Sequence, residues 1–511
     1  MSAAEQEYKD HIKELEQQIR LLKEQVDFLT RKLYGTKSEK TSTLEIEGQM
    51  SLFNEIETCA DPNAHEPDLV EVEKHLRKRK YAGQREELVK NLPHSKVLHT
   101  IDESEQICEN CGSTMVKVGE EFVRTEVQFI PAKLTVIDHY RETYECRSCR
   151  KNGTPYMEKA PVPYPPVLHS LASASTIAWL IHQKFELGIP LYRQEKEWEA
   201  LGLRLSRATL SNWLLVVYRD WLVHLVHRLK QELLKQRYLH IDETHVQVLK
   251  EPGRKNTSDS YMWVYCSIKD SVTPIRYFEY RPGRSGKYPE AFLSGYEGYI
   301  HTDAYSGYNA VSGVKRCLCY THLRRAFVDA LPKDIHTPEA SKPAEAIFRL
   351  NQLFNIEAEL ETLSPDQKKN ERLIREKPLL EAFWSWAEKS AIGELPKSKL
   401  SKAFHYALNN REGFFHYLED GNCSISNSLA ENCIRPFVIG RKNWLFSGSP
   451  KGAEASAGIY TLIETAKANG LAPMKYIKYI LSDMPGSAFL EHPEYLDDYL
   501  PWNPLVKEFC R

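Results

Sequence analysis

The spacing of apolar residues changes several times along the chain, and each change marks a new element. Tyr8, Ile12, Leu15, Ile19, Leu22, Val26, Leu29 and Leu33 alternate spacings of four and three residues. Ile12, Ile19 and Val26 then occupy a positions, with Leu15, Leu22 and Leu29 at d. This pattern predicts a parallel two-stranded coiled coil over residues 1–34. A single amphipathic helix packed on its own chain fits the same spacing. Residues 35–100 lose the period and read as a polar linker. Its KHLRKRK stretch is either a solvated linker or a phosphate-contacting arm. Alternation of period two follows through FVRTEVQF and, past Pro131, LTVIDHYRETYE, predicting a β-hairpin.

Residues 165–235 read as helical, with Pro190 the only proline between 170 and 235. Within them YRQEKEWEAL, a turn at Gly202 and LRLSRATLSNWL make either a helix-turn-helix or a helical pack supporting the next domain. From Tyr238 the pattern turns to strands: RYLHIDETHVQVL, SYMWVYCSI and PIRYFEYRP. A short helix, KYPEAFL, precedes a fourth strand in GYIHTDAYSGY that ends at Asp303. RCLCY is a fifth strand leading into the helix THLRRAFVDAL. This order predicts an α/β layer with a mixed sheet, spanning residues 236–480, with a helical stretch over about 335–410. Residues 481–511 are left as a C-terminal tail.

Composition narrows the class. At 511 residues the chain exceeds one hydrophobic core, and 42% hydrophobic with 27% charged content is that of a globular, multidomain protein. The longest apolar run, WLLVVY, is far short of the roughly 20 residues a membrane span needs. No membrane partner is expected, and the polar N-terminus is not a signal peptide. A net charge of −2 is uninformative, because the basic residues are bunched. Eleven cysteines, four of them in two tight pairs, suggest a reducing, cytoplasmic setting. Cys108 and Cys111, then Cys146 and Cys149, flank the predicted hairpin within residues 101–152. Four thiolates close a tetrahedral site around one structural Zn²⁺, a zinc ribbon; four reduced, unliganded cysteines are the alternative. Cys317, Cys319 and His322 offer only three candidate ligands for a second zinc.

The strand order places Asp242 on the first strand and Asp303 at the end of the fourth. If those strands are neighbours, both carboxylates reach one point, where they suit Mg²⁺. A third carboxylate from a helix would let the site hold two ions for phosphodiester chemistry. Each has a plain reading too. Asp242 could be a polar strand-end residue, Glu243 should face the other side of the sheet, and Asp303 could cap a turn. Ser428-Leu-Ala-Glu431 matches a capping box with Glu431 at N3 and Arg435 as its i+4 partner. Against that stands the local charge. No acid separates Asp303 from Asp329 or Glu431 from Glu454, while Arg324, Arg325, Arg435, Arg441, Lys442 and Lys451 fall in those gaps with Trp444 interleaved. Basic, aromatic stretches of this kind suit a phosphate backbone and unstacked bases.

These motifs carry a resemblance. KLYGTKSEK after the heptads, the paired C-x-x-C, HIDET, HTDAYSGY, CYTHLRRAF, LPKSKLSKAFHYALNN, SNSLAENCIRPFVIGRKNWLFSGSPKGAEASA and YLPWN together resemble the insertion-sequence-66 family of bacterial DDE transposases. Many relatives carry two asparagines before the glutamate; here Ser428 follows Asn427. The resemblance implies a ribonuclease H-like catalytic domain with a helical insertion, preceded by coiled coil, zinc ribbon and helical region. It places a catalytic triad binding Mg²⁺ (or Mn²⁺) on Asp242, Asp303 and Glu431; His322 is either an auxiliary near the scissile phosphate or a satisfied structural histidine. The implied reaction hydrolyses a strand at the element end, and the freed 3′-hydroxyl then attacks target DNA. Implied partners are the element's terminal repeats, target DNA, a second copy of the chain or a higher assembly, and accessory proteins of the same element, at the nucleoid. A nuclease without strand transfer and an inactive DNA-binding relative are the alternatives, since fold alone does not separate them.

Overall fold

The computed structural model describes residues 134–147, 151–152, 157–332 and 341–511. The expected coiled coil, the basic linker, and Cys108, Cys111 and Cys149 lie outside the described residues. Of the second hairpin strand expected over 134–145, only β1 (Thr143–Glu145) forms, and it pairs with β2 (Met157–Lys159). Val136, Ile137 and Tyr140 just before it are exposed, so alternation there buries no face and does not enforce a strand.

The helical region begins with α1 (Ala174–Ile181), capped by Ser173, and continues to α2 (Leu191–Ala200). Gly202, at φ +93°, turns the chain where a side chain would be strained. Ser206 then caps α3 (Arg207–Val217) by accepting from the Thr209 N–H. The predicted helix, glycine turn and helix are therefore present. One π-turn later the chain continues as α4 (Val223–Leu234), which buries Leu225, Leu229 and Leu233.

The main sheet starts with β3 (Tyr238–Val248), β4 (Asp259–Ser267) and β5 (Arg276–Arg281), an antiparallel meander. After α5 (Lys287–Phe292), β6 (Gly298–Thr302) returns parallel to β3, and β7 (Val314–Leu318) lies parallel beside β6. The order is β5-β4-β3-β6-β7, so the first and fourth strands of the sheet are neighbours, which meets the condition on which Asp242 and Asp303 can share a site. The register pairs Tyr238 with Tyr299, Leu239 with Ile300 and His240 with His301, then stops.

Beyond β7, α6 (Tyr320–Asp329) leads to the helical insertion: α7 (Lys342–Glu359), α8 (Lys377–Ser390) and α9 (Lys399–Asn409). These helices build their own core around Phe327, Phe383, Trp384 and Phe404, joined to β7 through Cys317 and Leu318. The chain then returns to the sheet as α10 (Ser428–Trp444), β8 (Phe446–Ser447) and α11 (Pro450–Ala468). On α11, Thr461 and Thr465 accept hydrogen bonds from the N–H groups of Phe278 and Arg276, tying it to β5.

A second, larger core joins α1–α4, β3–β5, α10, α11 and α12 (Pro473–Asp483). The helical region and the sheet thus share one core. Nor are the last residues a loose tail: Leu496, Tyr499, Val506 and Cys510 are buried in that core, and Asp497 pairs with Arg228 at 2.7 Å. Apolar residues separated by polar ones along 481–511 show no clear period, which hid this packing from the sequence. No described helix is long and apolar enough to cross a membrane.

Candidate active site

Two H-x-D triplets, His240-Ile-Asp242 and His301-Thr-Asp303, lie on neighbouring parallel strands. The register that matches His240 with His301 also brings Asp242 level with Asp303. The two imidazoles stack at 4.2 Å with their planes 11° apart. Past them the strand pairing opens, and Asn427 fills the gap. Its amide donates to the Ile241 carbonyl at 2.8 Å, and its oxygen meets His240 Nδ1 at 2.9 Å. This buried clip fastens the start of α10 to β3 just before Asp242. At the other end of the helix, Arg441 donates to Thr244 at 3.2 Å, and β8 pairs with Gln247 and Val248.

The clip changes the local chemistry of Glu431. Asn427 is the N-cap residue, and its side chain is committed to β3 rather than to the helix. Ser428 is the first helical residue, so the capping box read from the sequence does not form. The Glu431 N–H instead makes an intrahelical bond to the Asn427 carbonyl at 3.3 Å. Among the described residues no ion pair joins Glu431 to Arg435, whose Nε is buried without a partner. The Glu431 carboxylate turns towards α6, with Oε1 3.6 Å from His322 Nδ1 and Oε2 3.9 Å from Arg325. Oε1 is itself buried with no hydrogen-bond partner.

Burial raises the Asp242 carboxyl well above its ordinary range, and the charges of Glu243, Glu431 and Asp303 push it further. One Asp242 oxygen accepts from the Glu243 N–H at 2.9 Å, and no ion pair offsets its charge among the described residues. Glu243 is held elsewhere, as the alternation of the strand requires. It takes Arg284 at 2.6 Å and the Tyr308 hydroxyl. Asp303 does cap its turn, accepting from the Tyr305 N–H at 3.0 Å, while its other oxygen sits 3.7 Å from Arg284. Burial lowers the His322 imidazole pKa, against the opposing pull of Glu431 and Asp303.

The structure therefore brings Asp242, Asp303, Glu431, His322 and Arg325 to one place. Other predicted residues fall differently. Arg324 donates to Asn351 on α7 at 2.7 Å, facing the insertion rather than the site. Trp444 folds inward against Phe185 and Tyr460 with Lys184 4.1 Å over its ring, in space open only because Gly440 has no side chain. Lys442 and Lys451 are exposed near this end of α10. Two cations in the acid-free stretches serve the fold: Lys315 pairs with Glu419, and Arg316 donates to the carbonyls of Asp303 and Tyr305. Of the zinc cysteines, Cys146 follows directly on β1.

The sequence reading missed Asn427, His240, Arg284 and Arg316 as positioning residues. The repeated H-x-D triplet was a readable signal for the histidines. Nothing local marks Arg284, whose partners lie 41 and 19 positions away.

The residues suit a hard divalent cation. The charges of Asp303 and Glu431 both act on Asp242, and hard carboxylate oxygens of this kind are the ligands Mg²⁺ takes.

Comparison with known proteins identifies the family. Residues 169–455 match the Transposase IS66 family, and residues 461–502 match the IS66 C-terminal element. Residues 105–150, which include all four paired cysteines, match the zinc-finger binding domain of transposase IS66. Residues 21–97 match the Transposase C of IS166 homeodomain. Two relatives from Sinorhizobium fredii, Uncharacterized protein y4jD and Uncharacterized protein y4hP, are 27% and 26% identical. The first alignment covers 98% of both chains; the second covers 93% of this chain and 87% of the relative. With a transposase match over more than half its length and a zinc-binding domain before it, this chain belongs to the IS66 family of transposases.

Proposed function

We propose that this transposase cuts DNA at the ends of its element and joins the freed ends to target DNA, using a ribonuclease H-like domain whose ligands are Asp242, Asp303 and Glu431. The observation that carries this reading is the convergence of three carboxylates where β3 and β6 part, with α10 clipped there by Asn427. An antiparallel meander followed by two parallel strands, with the third acid on a helix beyond an insertion, supports the fold assignment.

A divalent cation held by these carboxylates supplies Lewis-acid activation of an attacking oxygen and stabilisation of a leaving one. The chain's own groups prepare that place. Arg284 and Tyr308 hold Glu243 away, leaving Asp242 as the carboxylate of β3 that faces the site. Arg316 braces the Asp303 turn through its carbonyls. Arg325, half-exposed beside Glu431, is placed to meet a phosphate, and Lys442 and Lys451 extend positive charge along α10 and α11. The heptad segment serves dimerisation, and a zinc ribbon on Cys108, Cys111, Cys146 and Cys149 helps hold DNA.

The test incubates element-end DNA with Mg²⁺ and either wild type or Glu431→Gln. Wild type should give 3′-end nicks and joined products, and the variant neither. Nicks without joining would make the protein a nuclease, and equal products from both proteins would remove Glu431 from the site.

A further inference from the structure

Glu431 belongs to a second group of ligand atoms, softer than the first. Cys319 follows β7 directly as the N-cap residue of α6, His322 sits on the first turn of α6, and Glu431 on the first turn of α10. Their sulfur, a ring nitrogen and a carboxylate oxygen all lie within 4.8 Å of one another. On the last two residues, His322 Nδ1 and Glu431 Oε1 are buried without a hydrogen-bond partner and stand 3.6 Å apart. That gap is too wide for a hydrogen bond, and leaving both groups desolvated is costly. It does match a shared ion: tetrahedral zinc with bonds of about 2.0–2.1 Å to nitrogen and oxygen sets them roughly 3.3–3.4 Å apart.

Cys319 is prepared for the same role. The Asn427 N–H points at its sulfur at 3.1 Å, the kind of supporting contact that metal-bound ligands keep. The neighbouring group of His301, Cys317 and Cys423 differs in one decisive respect. Both His301 nitrogens are already engaged, with the Leu239 carbonyl at 3.1 Å and the Ser424 N–H at 2.9 Å. Cys317 and Cys319 are thus split between two clusters, and of the two it is the Cys319 cluster that holds a buried nitrogen and a buried oxygen without partners among the described residues.

We propose that Cys319, His322 and Glu431 form a site for a thiophilic divalent ion such as Zn²⁺, with its fourth position open to water or substrate. An ion there holds Glu431 at α6 and withdraws it from Asp242 and Asp303, so zinc opposes magnesium-supported cleavage. This second half rests on the catalytic role proposed for Glu431; the binding site itself does not.

The experiment separates the two. Full-length protein with its ribbon loaded with zinc is titrated with Co²⁺, whose thiolate complexes carry a charge-transfer band. Wild type is compared with Cys319→Ser, which keeps an acceptor for the Asn427 N–H, and with His322→Gln, which keeps the thiol. Wild type should take up one equivalent with a thiolate band that Cys319→Ser lacks and that His322→Gln weakens. Any exchange at the ribbon is common to all three proteins and cancels in the difference. Zinc at about ten times its dissociation constant should leave roughly one wild-type molecule in ten able to nick element-end DNA, while Cys319→Ser keeps nicking. Identical Co²⁺ spectra in wild type and Cys319→Ser would overturn the site, whether or not the protein nicks DNA. A cobalt difference with equal zinc sensitivity would overturn the opposition to magnesium.

Discussion

Arg372, in the insertion, is fully buried, and its guanidinium is satisfied throughout. It binds Glu357 at 2.6 and 2.8 Å and donates to the carbonyls of Tyr417, Asp420 and Cys423. Where β3 and β6 part the reverse holds. Asp242 feels the charges of Asp303 and Glu431, the basic groups nearest Asp303 and Glu431 stand 3.6–3.9 Å away, and one Glu431 oxygen is buried unbonded. A charged cluster that exists for stability closes its own bonds, since a buried charge without a partner costs several kcal/mol. One that exists for chemistry leaves bonds open for what it binds. The two clusters also connect: Arg372 grips the loop at 417–423 that leads to Asn427 and Glu431.

Substitution should affect the two clusters in opposite ways. Where β3 and β6 part, Asp242→Asn or Asp303→Asn should lower strand cleavage by at least about a thousandfold, the scale of losing a group that stabilises charge at a reacting centre. Thermal stability should be kept, because Asp242→Asn relieves repulsion rather than breaking a bond. Loss of folding together with activity would make the carboxylates structural. In the insertion, Arg372→Met strands Glu357 without its partner and should cost about 3–5 kcal/mol in denaturant unfolding. A cost below about 1 kcal/mol would place that pair among surface ion pairs.

The smallest effect concerns Glu376, next to Arg372. Burial first, then the charge of Glu357, raises its pKa to about 8 from an ordinary 4.5. The folded protein therefore holds a proton that the unfolded chain has released. Stability from this group is full below 4.5 and is lost as pH rises through about 8. Glu376→Gln keeps an acceptor for the Tyr417 hydroxyl, bonded at 2.6 Å, and removes the titration. Melting curves across this range should fall with pH for wild type and flatten for the variant. Parallel curves would mean that Glu376 stays ionised.

Much of this protein can be read from order and period alone. The strands around Tyr238–Val248, Asp259–Ser267 and Arg276–Arg281 follow β-branched and aromatic runs broken by turn residues, signals local to each segment. The insertion helices follow from patterns of the same reach, whereas the adjacency of β3 and β6, which the sequence left open, is a long-range pairing. Family motifs marked Asp242, Asp303 and Glu431 as residues of interest for the same reason, because each lies in a contiguous stretch.

Tertiary structure decided which local reading survives. In the sequence, Ser428 to Glu431 spells a capping box; in the fold, Asn427 binds β3, the helix starts a residue earlier, and the Glu431 side chain turns to other partners. Arg324 and Trp444 looked like DNA contacts, yet Asn351 and Lys184 take them inward. The two orphaned atoms on His322 and Glu431 meet across 109 positions of chain. Residue type and spacing determine which elements form and what chemistry they can carry. Which side chains are used up inside the protein depends on packing between distant segments, and that depends on three-dimensional contacts no local pattern encodes.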